Sequence, residues 1–339
     1  MLRANLVAPY TINLEEVEKP TINDDQVLLK VHAVGICASD MQMYHGLHKY
    51  MTFPVVFGHE VGASVEQVGA NVKDYKVGDL VTVEPQVYCG ECYPCKIGRF
   101  NVCEHLKVMG VHQNGMACEY FAVEPKYLHH CPAGMLDERM ALVEPLAVGV
   151  GSVKRAGDVT GKNVVVVGAG TIGNLTAQAA KALGAANVMI TDVFEPKLDL
   201  ARKSGLELAV NTSDLSLKQA IIDHFGVQKA DVIIDAAATR GSFMSILEAA
   251  RPSSKIIITG NYKAEMNLEL PIIQRQEIEM IGHMMYVREE FQDAIAMLHE
   301  GRVNIEHVVT KAFPFTQVCD AFKYIDDNAQ TVMKVVLKM

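Results

Sequence analysis

The chain has 339 residues and a formal net charge of −9, with 31 Lys and Arg against 40 Asp and Glu. That balance, with no basic stripe to follow a phosphate backbone, excludes a general nucleic-acid binder. Half of the residues are hydrophobic, enough for real cores and too many for a disordered chain, and the length fits about two domains.

The opening MLRANLVAPY lacks a charged segment followed by an apolar one, so no secretory signal is expected. The most apolar short run, VVVVGAG, is far too short to cross a bilayer. The expected location is therefore the cytoplasm, with no membrane partner. In that reducing compartment the eight cysteines stay as thiols or hold metal.

The first 145 residues read as short strands, among them QVLLKVHAVG, GASVEQVG and GDLVTVEP, with turns expected at Gly35, Gly69 and Gly78. This predicts an all-β unit. Within it, CGECYPCKIGRFNVC places Cys89, Cys92, Cys95 and Cys103 in the spacing C-x2-C-x2-C-x7-C. Short steps let one loop wrap a tetrahedral ion, and four thiolates leave no position for substrate, so such a metal is structural. A disulfide scaffold belongs to small secreted chains with few other core residues, which this is not. Further ligands are scattered: Cys37 in GICASD, His59 and Glu60 in VFGHEVG, and Glu144 in ALVEPLAVG. Any three of them leave room on a metal for water or an alcohol oxygen. Taken singly, they have ordinary alternatives as a buried thiol, a core histidine and a helix-start carboxylate.

From about residue 150 the texture changes. NVVVVGAG is a buried strand, TIGNLTAQAAKALG a helix closed by Gly184, and NVMITD a second strand. The alternation continues through KLDLARKSG, SLKQAIIDHFG, ADVIIDAAA, SFMSILEAA and KIIITG, which predicts a parallel sheet covered by helices on both faces. Gly168, Gly170 and Gly173 have the G-x-G-x-x-G spacing between a strand and a helix, with Asp192 ending the next strand. Gly168 permits the tight turn, Gly170 lets backbone N–H groups approach a pyrophosphate, and Gly173 allows close helix–strand packing. Thr171 and Ile172, in the same loop, count among the expected coenzyme contacts. Asp192 accepts the ribose hydroxyls of NAD and repels the extra phosphate of NADP, with Lys197 the nearby cation that acts the other way. EIEMIGHMM reads as a strand exposing a sheet edge, from which a homo-oligomer is expected. After Gly282, two amphipathic helices (EEFQDAIAMLHEG and FTQVCDAFKYIDDN) precede the strand MKVVLKM. This piece is too small for its own core and is expected to pack back onto the first unit.

GICASD, GHE followed by VGANV, the four-cysteine lobe, EPLAVG and the glycine fingerprint with Asp192 occur in one order. Over nearly the whole chain that order resembles the zinc-dependent medium-chain dehydrogenases. The resemblance implies an α/β protein with a GroES-like β-rich catalytic domain, 1–147 completed by 284–339, and a Rossmann doubly wound coenzyme domain over 148–283. It implies two zinc ions per chain, one catalytic and one structural, NAD as coenzyme, and a dimer or tetramer. It places Cys37, His59 and Glu144 around the catalytic ion, with Glu60 beside it or exchanging onto it. Glutamate at 144, where the simpler alcohol dehydrogenases carry cysteine, looks like the polyol and sugar branch. VMGVHQNGMACEYFAV is similar to bacterial dehydrogenases of sugar acids, whereas MMYVREEF is closer to butanediol and threonine dehydrogenases.

The activity so implied is hydride transfer from a secondary alcohol of a polyol or sugar acid to NAD. Zinc lowers the pKa of the alcohol, and Ser39 starts the proton relay. The alternative enzyme is an L-threonine 3-dehydrogenase or 2,3-butanediol dehydrogenase, and the non-enzyme reading is a zinc- and NAD-binding protein without turnover. Two positions depart from the family: Ala63 beside Gly62, and Gln42, where a relay histidine is common. Gln42 cannot titrate, which leaves water, His45 or His48 to pass the proton on. His112, Gln113, Tyr286 and Arg288 are the polar candidates for substrate recognition. Met41, Met43, Met51, Met284 and Met285 are candidates for an adaptable apolar wall.

Overall fold

The computed structural model describes residues 1–263, 265–266 and 268–339. They divide into two compact units. The first comprises Met1–Glu144, Val287–His299 and Val309–Met339, and the second Pro145–Tyr286 and Glu300–Val308.

The first unit is built on a seven-stranded sheet. In order across it lie Leu128–His130, Leu80–Val83, Glu60–Val68, Val27–Ile36, Lys334–Lys338 and Val309–Pro314, with Tyr120–Val123 also paired to Val27–Ile36. Val27–Ile36 is rich in β-branched residues and buried along nearly its whole length, as a central strand with neighbours on both edges must be. It runs straight through Gly35, so the expected turn there does not exist. Gly35 lies opposite Glu60 in the antiparallel ladder, and a Cβ on it would fall 2.1 Å from Glu60 Oε2. A close approach, and not a reversal of the chain, requires this glycine. Gly78, by contrast, has φ of +91°, which favours glycine in a turn.

Lys334–Lys338 joins the sheet antiparallel to Val27–Ile36 and parallel to Val309–Pro314. Val335, Val336 and Leu337 are buried there. A three-stranded sheet of Thr11–Glu16, Leu2–Ala8 and Val55–Val56, and a short pair of Gln86–Val87 with Lys107–Val108, complete the unit.

The second unit holds six parallel strands in the order Leu208–Asn211, Asn187–Asp192, Asn163–Val167, Val232–Asp235, Lys255–Ile258 and Glu279–Gly282. The central strands are unbroken apolar runs because helices cover a parallel sheet on both faces. Val165, Met189, Ile233, Ile246 and Ile256 form part of the resulting core. Strand order reverses between Asn163–Val167 and Val232–Asp235. This is the switch point at whose carboxyl end a doubly wound sheet leaves a crevice. Glu279–Gly282 pairs with Lys255–Ile258 at one end of the sheet and has no second neighbour among the described residues.

Candidate functional site

The short helix Tyr93–Lys96 and the turn Phe100–Val102 fold the cysteine lobe so that Cys89, Cys92, Cys95 and Cys103 converge. Their Sγ atoms are separated by 3.5 Å (Cys92–Cys95), 3.5 Å (Cys89–Cys103) and 3.8 Å (Cys92–Cys103). Disulfide bonding needs about 2.05 Å. A tetrahedron of Zn–S bonds about 2.3 Å long has edges of about 3.8 Å. The lobe therefore fits zinc and not a disulfide. The N–H groups of Cys92 and Glu91 donate to Cys89 Sγ and pull its pKa down to about 6, while burial pushes that of Cys95 up to about 12.

A second cluster forms where a helix start meets a strand start. Cys37 caps the helix Ala38–Tyr44, and its N–H donates to Asp40 Oδ2 at 2.8 Å. His59 immediately precedes the strand Glu60–Val68. The ligand atoms of Cys37, His59 and Glu60 all lie within 4.8 Å of one another. Glu144 is outside that trio, buried in the first turn of the helix Val143–Arg155, yet its charge acts on both His59 and Lys334.

Two residues of this cluster carry no signal in the sequence reading. The first is Asp40, fully buried, with Oδ1 3.6 Å from His59 Nδ1. That is too long for a hydrogen bond, and neither atom has another partner among the described residues. Such a pair fits a histidine whose other nitrogen takes a cation while the carboxylate orients the ring. Burial opposes charge on His59, but Asp40, Cys37 and Glu144 outweigh it and hold the pKa well above the ordinary histidine value. Burial raises the Asp40 pKa in turn.

The second is Lys334. Its Nζ lies 2.6 and 2.7 Å from the two oxygens of Glu60 and donates to the Ile36 carbonyl at 3.2 Å. The two side chains are 3 and 1% exposed. Burial opposes the ammonium charge, but Glu60, Cys37 and Glu144 more than restore it and raise the Lys334 pKa.

The other candidates disperse. Ser39 lies half-buried in the first turn of Ala38–Tyr44, two residues after Cys37. The His45 ring is taken by Asp326 at 2.9 and 3.0 Å. His48 has its pKa lowered by burial and by the charges of His112 and His59, so these rings share one field. His112 and Gln113 are exposed, and His112 Nδ1 accepts from the N–H of Val108 at 3.0 Å. Tyr286 is fully buried, which leaves it no surface for a substrate. Arg288 turns to the Lys126 carbonyl and to Glu84, 3.5 Å away. Met41 and Met43 are core residues, whereas Met284 is exposed.

In the second unit a cavity of about 550 Å³ opens at the switch point, lined by Gly168, Gly170, Asp192, Lys197, Thr239 and Ser242 among others. Gly168 has φ of +101°, and a Cβ on Gly173 would lie 1.7 Å from the Gly168 carbonyl. A Cβ on Gly170 meets nothing of the chain within 4 Å. Space at that glycine is kept for something other than protein, which fits a pyrophosphate at the start of the helix Thr171–Ala182. Asp192 accepts N–H bonds from Ala169 (2.7 Å), Val193 (2.8 Å) and Phe194 (3.0 Å), and so fixes the glycine loop.

Residues 23–133 match the family described as Alcohol dehydrogenase GroES-like domain, and residues 171–300 that described as Zinc-binding dehydrogenase. The sorbitol dehydrogenase of Bacillus subtilis is 32% identical over 331 residues, 96% of this chain and 94% of that protein. The chain belongs to the zinc-type alcohol dehydrogenase family. Its two units are therefore the GroES-like and Rossmann parts of a zinc-dependent, nicotinamide-linked oxidoreductase acting on alcohols. L-galactonate-5-dehydrogenase of Escherichia coli K12 is 30% identical over 331 residues, covering 97% of this chain and 96% of that one. An alcohol dehydrogenase from Escherichia coli CFT073, solved in complex with NADH, superposes with a TM-score of 0.93 at 30% identity, covering 100% of this dehydrogenase and 99% of its relative.

Proposed function

We propose that this dehydrogenase oxidises a secondary alcohol of a polyol or sugar acid to the ketone, with NAD as the hydride acceptor. The observation that supports this reading is the convergence of the Cys37 thiol, the His59 imidazole and the Glu60 carboxylate, with the Glu144 charge acting on His59, in a chain related to sorbitol and L-galactonate dehydrogenases. Cys37, His59 and Glu144 would hold the catalytic ion, with Glu60 beside it or exchanging onto it, and Asp40 orients His59. Bound there, the ion would supply Lewis acidity toward the alcohol oxygen. Ser39 takes up the alcohol proton and relays it. With His45 engaged by Asp326 and Gln42 unable to titrate, water or His48 carries that proton onward.

The second ion, held by Cys89, Cys92, Cys95 and Cys103, is structural. Gly168, Gly170, Thr171, Ile172 and Gly173 receive the pyrophosphate, and Asp192 the ribose hydroxyls. His112 and Gln113, both exposed, remain the substrate-facing polar candidates. No helix among the described residues is long and apolar enough to cross a membrane, and the proposal extends to a homodimer or homotetramer in the cytoplasm.

Steady-state assays with NAD and NADP across polyols, aldonic acids, 2,3-butanediol and L-threonine test the substrate class. The largest kcat/KM is expected for NAD with a polyol or aldonate. A clear maximum for threonine or butanediol would overturn the assignment.

A further inference from the structure

We propose that Tyr262 is a positioning residue for the coenzyme: through Asp235 it holds the turn that backs the glycine loop where the pyrophosphate binds. The inference rests on the reading of the switch-point cavity as the coenzyme site. Tyr262 lies outside the glycine fingerprint, half-buried in the loop that follows the strand Lys255–Ile258.

Asp235 ends the strand Val232–Asp235 and is fully buried. Its Oδ1 accepts the N–H groups of Ala237 at 3.0 Å and Ala238 at 3.1 Å, which folds the chain back directly after the strand. Its Oδ2 accepts from the Tyr262 hydroxyl, and Ser242 Oγ lies 3.5 Å from the same oxygen. The backbone ties the two loops a second time, because the N–H groups of Thr259 and Gly260 donate to the Asp235 carbonyl at 3.1 and 2.8 Å. Ala238 takes φ of +50°, which an L-residue keeps only where its surroundings impose it. The Asp235 carboxylate imposes it from one side. Thr239, whose hydroxyl accepts the Ser242 N–H at 3.0 Å, imposes it from the other.

This turn is the backing of the glycine loop. A Cβ on Gly168 would lie 2.9 Å from the Ala237 nitrogen, and one on Gly173 would lie 3.4 Å from Ala236 Cβ. Ala236, Ala237, Thr239 and Ser242 line the same cavity as Gly168 and Gly170. A carboxylate buried beside the site of an anion is unfavourable unless donors take up its charge. Two backbone N–H groups do so at one oxygen, and Tyr262 does so at the other. Burial and the bond to Asp235 raise the Tyr262 pKa above its ordinary value, so the hydroxyl is a donor at neutral pH. Phe243 meets the Tyr262 ring edge-on at 6.1 Å, so packing holds the ring whether or not the hydroxyl is there.

The test measures the affinity of the full-length protein for NADH by fluorescence titration and for adenosine by competition. Tyr262→Phe keeps the ring and removes only the hydroxyl. It is expected to weaken NADH binding by roughly tenfold and to leave adenosine, which has no pyrophosphate, within about twofold of the parent. Asp235→Asn is expected to show the same selectivity. The double variant should lose no more than the larger single change, because both substitutions cut one tie.

Unchanged NADH binding in Tyr262→Phe overturns the proposal. An equal loss for adenosine overturns it as well, since the whole unit has then loosened, and so do additive losses in the double variant. If one of the two variants does not fold, the comparison of NADH with adenosine on the other still decides. A parent that does not bind NADH fails differently: it removes the coenzyme reading of the cavity, and the proposal with it.

Discussion

Two glycines of the first unit, Gly35 and Gly78, exist for opposite reasons, and substitution separates them. Gly35→Ala places a methyl group 2.1 Å from Glu60 Oε2, in a recess with no free volume. The expected cost is about 1–3 kcal/mol of overpacking, with Glu60 pushed from Lys334. Gly78→Ala meets nothing within 4 Å and suffers only from φ of +91°, worth about 1–2 kcal/mol. Both variants should melt earlier, but only Gly35→Ala, which disturbs Glu60 beside Cys37 and His59, should also lower kcat/KM. Equal kcat/KM in the two would show that the recess does not hold Glu60. At the coenzyme site Asp192 has a double duty, since it fixes three backbone N–H groups and faces the cavity. Asp192→Ala should weaken NADH binding, read by fluorescence titration, by roughly 10–100-fold. The preference for NAD over NADP should fall with it. Equal use of NADP by the parent would contradict the role given to Asp192.

Among the elements, the cysteine lobe and the helix starting at Cys37 predict different failures. Cys95→Ser should lose one of two zincs and melt about 5–10 °C lower, because metal binding and local folding are coupled, while KM stays near the parental value. Cys37→Ala should also lose one zinc, yet keep its melting temperature and lose turnover. Metal analysis, thermal melts and kinetics on the two variants check the division. The hairpin Leu2–Ala8 with Thr11–Glu16 is clamped by Glu15, which accepts from Asn5 at 3.0 Å and Arg3 at 2.9 Å. Those two bonds, Asn5 first, hold its pKa below the ordinary value. A depressed carboxylate contributes stability above its unfolded pKa of about 4.3 and loses it as pH falls through the folded value. Glu15→Gln should therefore cost under ~1 kcal/mol at neutral pH and progressively less as the pH falls below about 4.3, measured by urea titration.

What could be read from the sequence at this level was local. The glycine fingerprint, the cysteine spacing and the strand–helix alternation all carry their cause within a few residues. A glycine after an apolar run signals a turn, whereas the cause of Gly35 is Glu60 on another strand. Asp40 lies inside GICASD, but the histidine it faces, His59, is on another element, so nothing local announces the pair. Lys334 lies in MKVVLKM, and nothing nearby in the sequence tells that it is buried. The Glu84 partner of Arg288 is likewise remote in sequence.

For the molecule as a whole, the open flank of Glu279–Gly282 sets the expectation of assembly. Two such flanks paired about a two-fold axis remove an exposed edge. Light scattering should then give a multiple of the 37.1 kDa chain, and Ile281→Lys, which sets like charges across the axis, should yield monomer. A monomeric parent at micromolar concentration would count against the pairing. The bond between Lys334 and Glu60 has a consequence for how the chain comes into being. The carboxylate precedes its cation by 274 residues, and the entire nucleotide unit is made in between. A chain growing on the ribosome thus displays Cys37, His59 and Glu60 well before the lysine that pairs with Glu60 emerges. Any product that stops short of position 334 keeps a metal-grasping trio with an unneutralised acid and an unfilled gap in the middle of its sheet. Such fragments are expected to be cleared or to aggregate, not to linger as partly active enzyme, and translation arrest before and after Lys334 offers a direct view of when the sheet is completed.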